Sequence, residues 1–167
     1  MDKFQEKNER VIGDDFIEWL NSRKKTAYRF KTRPDRAPDL IYTSANNELF
    51  IEVTAAFYDE KHARFIWKGV RGKADAPANW NGINANASLI NEIHNCIIKK
   101  AQKRYGKDTL LLIEVPPGVT SAEELSELLE LQQFPKDSPF AGIYIVGNFP
   151  IKNGSIGGFR VIPIHEL

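Results

Sequence analysis

The chain has 167 residues, 42% of them hydrophobic and 27% charged, with a net charge of +1, and this length supports one domain with a real core. Cys96 is the single cysteine, which excludes an intramolecular disulfide and a cysteine-rich zinc site, and no apolar run approaches the roughly 20 residues of a membrane span. The charged opening, MDKFQEKNER, has no apolar h-region, so a cytoplasmic protein without a secretory leader or a membrane partner is expected.

Residues 3–25 predict a helix, with Val11, Ile12, Phe16, Trp19 and Leu20 on one face. Glu9 shares that face, seven residues before Phe16, whereas Glu18 projects to the opposite side. An acid on a core-facing stripe is costly without a partner, so Glu9 is expected either at the edge of the stripe or in a site. Residues 26–33 alternate as a short strand, and Pro34 and Pro38 bound a turn. Residues 39–44 and 49–57 predict a hairpin joined by ANNE. In its second strand Phe50, Glu52 and Thr54 point one way, and Leu49, Ile51 and Val53 the other.

Residues 58–87 are irregular, aromatic, basic and rich in Gly, Asn and Ala. A connection of this length is functional or mobile. Trp67 and Trp80 could stack on bases or pin the loop to the body. A helix is predicted over 88–105, with Ser88 as N-cap, Gly106 as the terminating glycine, and Leu89, Ile90, Ile93, Ile97 and Ala101 as its buried stripe. Residues 109–115, TLLLIEV, read as a strand buried on both faces. An acidic amphipathic helix over 121–132 follows, then a buried strand over 141–147. An edge strand is expected over 158–164, because Pro163 has no N–H to donate. The order is helix, three-strand meander, helix, strand, helix, two strands. That is an α/β chain, a three-layer α/β/α sandwich with a mixed central sheet, in one domain over residues 1–167.

Charge is unevenly distributed. Residues 1–107 hold 20 Lys and Arg against 14 Asp and Glu, and residues 108–167 hold 3 against 8. The base-rich stretches are 22–36, 61–73 and 99–107. Converging, they would make a phosphate-binding face; apart, they are three solvated surfaces.

Several familiar chemistries lack their motifs. There is no glycine-rich phosphate loop between a strand and a helix, no HExxH and no EF-hand pattern. His62, His94 and His165 lie far apart, and no nucleophile elbow accompanies them. The hairpin acids Asp39 and Glu52 remain. Paired strands would set them side by side, and two carboxylates with a backbone carbonyl are oxygen ligands that magnesium accepts. Alternatively, Asp39 caps the turn and Glu52 pairs with a lysine or arginine.

Pro38-Asp39, followed after twelve residues by Glu52 in IEVT, resembles the restriction-endonuclease-like superfamily, the PD-(D/E)XK nucleases. The order of elements over residues 5–115 is similar as well. The resemblance implies a Mg (or Mn) site with Asp39, Glu52 and the Val53 carbonyl as ligands, and Glu9 as an additional acid. The helix segment KKAQKRYG is similar to the cationic helix that these proteins set beside the site. Gln102 and Tyr105 are similar to the Gln/Tyr pair of the recombination-nuclease branch, one residue short of its spacing. The implied activity is phosphodiester hydrolysis of DNA, in preference to RNA, with homodimers as one option. Arg29, Trp67, Lys68, Arg71, Lys99, Lys103 and Arg104 are the expected substrate contacts. Thr54 departs from the pattern, because the superfamily places a lysine there. A basic group from elsewhere must then serve, with Lys100 or Arg104 nearest and Lys99 and Lys103 less well aimed. Otherwise the fold is a non-catalytic module that binds nucleic acid or a protein.

Overall fold

Helix α1 spans Lys3–Lys24 and buries Glu9, Ile12, Gly13, Phe16, Ile17 and Leu20. The computed structural model describes residues 3–56, 85–103, 105, 108–116, 120–135, 138–150 and 156–167. The buried face of α1 follows the a/d/e spacing of an amphipathic helix. Val11 falls outside that stripe and is half exposed, contrary to expectation, because Gly13 and Ile17 complete the face instead. Trp19 stays at the rim, its ring 5.6 Å from Phe16 and 5.8 Å from Tyr144.

Strands β1 (Arg29–Thr32), β2 (Leu40–Ser44) and β3 (Asn47–Ala55) form the antiparallel meander. Helix α2 (Ala85–Ala101) crosses over to β4 (Thr109–Glu114), and α3 (Ala122–Glu130) crosses to β5 (Gly142–Pro150). Strand β6 (Ile156–His165) returns antiparallel along the edge. The six strands lie in the order β1-β2-β3-β4-β5-β6, with β3, β4 and β5 mutually parallel. This is the mixed α/β sandwich that hydropathy periodicity predicts.

Two cores explain the layering. On one face α1 packs Ile12, Phe16, Ile17 and Leu20 against Leu40, Tyr42, Ile51, Val53, Leu110, Leu112 and Tyr144. On the other, Leu89, Ile93 and Ile97 of α2 and Leu125 and Leu129 of α3 meet Leu111, Ile113, Ile143 and Ile145. Strand β4 feeds alternate residues to each core, which is why TLLLIEV is an unbroken apolar run.

Several boundaries differ from the sequence reading: β1 is shorter than 26–33, β3 begins at Asn47 and ends at Ala55, and β5 and β6 run on to Pro150 and His165. Helix α2 starts at Ala85, so Ser88 lies inside it rather than capping it; the alanines at 85 and 87 are strong helix formers and extend the pattern backward. The same extension takes 85–87 out of the predicted irregular segment, whose remainder lies outside the described residues. The helix ends at Ala101, earlier than expected, and Gly106 lies outside the described residues. Helix α3 is shorter than the predicted 121–132, because Ser121 is its N-cap and accepts the Glu124 N–H at 3.1 Å.

Gly13 allows α1 to approach the sheet closely. A Cβ there would collide with Leu40 Cδ1 and come within 2.6 Å of the Tyr42 hydroxyl. Neither neighbour can withdraw easily: both are fully buried, and the Tyr42 hydroxyl donates to Asp14 at 2.7 Å. Gly13→Ala is therefore expected to destabilise by about 1–2 kcal/mol. Overpacking outweighs the gain in helix propensity. A urea midpoint at or above that of the wild type would count against this packing.

Candidate active site

The register of the hairpin brings the two acids together. Leu40 pairs with Ile51, so one step beyond the start of β2 sets Asp39 across from Glu52, on the face covered by α2. Asp39 Oδ2 accepts the Val53 N–H at 2.8 Å. The N–H and C=O of one strand residue point to the same side, so the Val53 carbonyl faces the same gap, past the end of β2.

Glu52 is 3% exposed. Its Oε1 accepts hydrogen bonds from Lys100 Nζ at 2.8 Å and from the Tyr105 hydroxyl at 3.1 Å. Its Oε2 is buried and has no hydrogen-bond partner among the described residues.

Lys100 reaches Glu52 for a geometric reason. Helix α2 runs antiparallel to β3, as a crossover between parallel strands must. One helical turn, about 5.4 Å, matches about two strand residues, 6.6 Å. Cys96 accordingly lies over Thr54 and Ala55, its sulfur 3.7 Å from the Ala55 carbonyl. Lys100, one turn on, lies over Glu52. The Thr54 side chain is engaged with the Cys96 thiol, whose pKa burial pushes up to about 11. Thr54 thus brings no charge to this face, and the cation beside Glu52 is Lys100, from the helix above.

Burial is the main force raising the Asp39 carboxyl, to about 6, with Glu52 and Glu9 adding to it and the Val53 N–H and Lys100 opposing it. The folded protein therefore holds a proton on Asp39 that the unfolded chain, with an ordinary aspartate, releases near pH 4. Stability from this group is fully present below about pH 4 and is lost as pH rises through 6. Relative to Asp39→Asn, which cannot ionise, the metal-free wild type should lose on the order of 1–3 kcal/mol between pH 4 and 7. Urea unfolding in EDTA at both pH values measures it, and parallel profiles would contradict it.

Glu9 is buried rather than at the exposed edge of the stripe, and both its oxygens are engaged. Oε2 accepts from Arg33 at 2.8 Å and Oε1 from Gln5 at 3.1 Å. It lies on the α1 side with Glu114, whose Oε2 accepts from Asn8 at 3.1 Å and whose carboxyl burial holds above the usual range. Glu9 contributes charge to the Asp39 environment rather than an open ligand oxygen. No three His, Cys, Asp or Glu side chains among the described residues converge enough to hold a metal by themselves. Two carboxylates with a carbonyl remain, a set that suits magnesium, which keeps several of its waters.

Of the base-rich stretches, 22–36 and part of 99–107 are described, and 61–73 lies outside the described residues. In 22–36, Arg23, Lys31 and Arg33 are taken by Glu166, Glu48 and Glu9. Arg29 is exposed opposite Thr43, four residues along the ladder from Asp39 or roughly 13 Å away. Lys99 and Lys103 are exposed beside Lys100 at the end of α2. Trp67, Lys68, Arg71 and Arg104 lie outside the described residues.

Two partners of the acids were not paired with them from sequence, although Tyr105 was named there through its likeness to a Gln/Tyr pair. Tyr105 continues the Ile97–Ala101 stripe at i+4, a signal that could have aimed it inward. Its phenol is held above its usual range by burial and then by Glu52. Arg33 carried no signal beyond its place in a basic stretch. No protein-family model, curated protein or solved structure matches the chain.

Proposed function

We propose that the chain is a metal-dependent nuclease that hydrolyses phosphodiesters, DNA in preference to RNA, at the Asp39–Glu52 pair. The observation that carries this reading is the bare Glu52 Oε2. A structural hairpin accounts for the Val53–Asp39 bond and for the Lys100–Glu52 pair. It does not account for a buried carboxylate oxygen without a partner, which costs at least about 1–3 kcal/mol. A divalent cation between the two acids removes that cost.

Asp39, Glu52 and the Val53 carbonyl would hold Mg or Mn. Bound there, the ion would acidify a water and offset charge on the phosphate. Lys100 supplies the fixed positive charge that Thr54 lacks, within reach of the same carboxylates. Lys99 and Lys103, exposed at the same helix end, would meet flanking phosphates; Trp67, Lys68, Arg71 and Arg104, outside the described residues, stay expected substrate contacts from sequence alone. Arg29 would meet the backbone only farther along the strand.

A second reading rests on Lys100 being already tied to Glu52: the fold then binds nucleic acid and does not cut it. Supercoiled plasmid and a single-stranded RNA, each incubated with Mg, Mn or EDTA, separate the two. The nuclease reading expects nicking that EDTA abolishes. Salt-sensitive binding without cleavage under either metal would replace it with the binding module.

A further inference from the structure

We infer that Tyr105 is a positioning residue that decides which oxygen of Glu52 is free to take a metal, an inference that rests on the metal-site reading above. Tyr105 lies past the end of α2, and its ring is seated 5.0 Å from Phe140 at an interplanar angle of 43°. Phe140 is itself 4% exposed and fixed at the entry to β5, its N–H donated to Ser138 Oγ at 3.1 Å. From that seat the hydroxyl donates to Glu52 Oε1.

The end of a glutamate side chain has a broad torsional preference. Lys100 alone does not settle it: an ammonium on a four-carbon stem presents three rotatable donors and can follow either oxygen. A phenol on a ring clamped by Phe140 cannot follow. Lys100 and Tyr105 both donate to Oε1, and both bonds are charge-assisted. Oε1 is thereby the anchored oxygen and Oε2 the one left for a ligand. Tyr105 touches neither substrate nor metal in this arrangement; it acts through Glu52.

The test is Mn binding to the full chain, read by electron paramagnetic resonance of free Mn, for wild type and Tyr105→Phe. Partners that orient ligating groups are worth 10–100-fold in metal affinity, and Tyr105→Phe is expected to weaken Mn binding by about 10-fold. Its melting temperature in EDTA should fall only modestly, since Lys100 keeps its bond to Oε1 and the ring and its packing remain. A purely structural role would lower the melting temperature and leave the affinity alone. Phe140→Leu, which loosens the ring but keeps the hydroxyl, is expected to weaken Mn binding in the same direction and by less. If Tyr105→Phe binds Mn as tightly as wild type, the positioning role is overturned while the metal site stands. If wild type binds no Mn, the metal site itself fails and this inference falls with it.

Discussion

Glu52→Gln is expected to lower metal-dependent plasmid nicking by about 100-fold or more, beyond the 10–100-fold typical of losing a partner that only orients a ligand. The substitution keeps the shape of the side chain, and its amide oxygen can still accept from Lys100 and Tyr105. What changes is the other end. The bare Oε2 becomes an NH₂ group, which donates rather than accepts and turns a ligand into a repulsive neighbour for a cation. Asp39→Asn should act in the same direction, since it removes the second carboxylate while leaving an oxygen for the Val53 N–H. Both proteins should remain folded by circular dichroism. Nicking at the wild-type rate by either variant would end the nuclease assignment for this pair.

The second large effect is on stability. Lys100→Met leaves Glu52, 3% exposed, without its cation. Breaking a buried ion pair from one side costs about 3–5 kcal/mol, because the remaining charge stays desolvated. Tyr105 still donates to the same oxygen, so the lower end of about 3 kcal/mol is expected here. The double variant Lys100→Met/Glu52→Gln should recover most of that loss, since a neutral amide has no charge left to compensate. Urea unfolding of the four proteins in the cycle gives the coupling directly. If Lys100→Met is as stable as wild type, Glu52 does not depend on Lys100, and the charge supplied to the site comes from another residue. Because Lys100 also carries the proposed catalytic charge, its loss should lower cleavage as well, and Lys100→Arg should retain more stability than activity.

The fold was legible in the sequence because its signals are local. The period-2 alternation around Glu52, the unbroken run of β4 and the helical stripes of α1 and α2 each state which face is buried, and burial decides the layers. Boundaries were less legible where helix propensity extended a pattern, as at Ala85, or where one residue cannot mark the rim of a stripe, as at Val11. In the site, Asp39 and Glu52 could be paired from the hairpin register, and Lys100 named from the face of its helix.

By itself the sequence determined an α/β sandwich and two acids on neighbouring strands, because alternation and helical period are properties of consecutive residues. Only the tertiary structure decided how those acids are partnered. Arg33 occupies Glu9, Lys100 and Tyr105 share one oxygen of Glu52, and the other oxygen has no hydrogen-bond partner among the described residues. Those contacts join residues 24, 48 and 53 positions apart in the chain. They depend on the pitch of α2 over β3 and on where the loops return, distances that no local pattern of residue types encodes.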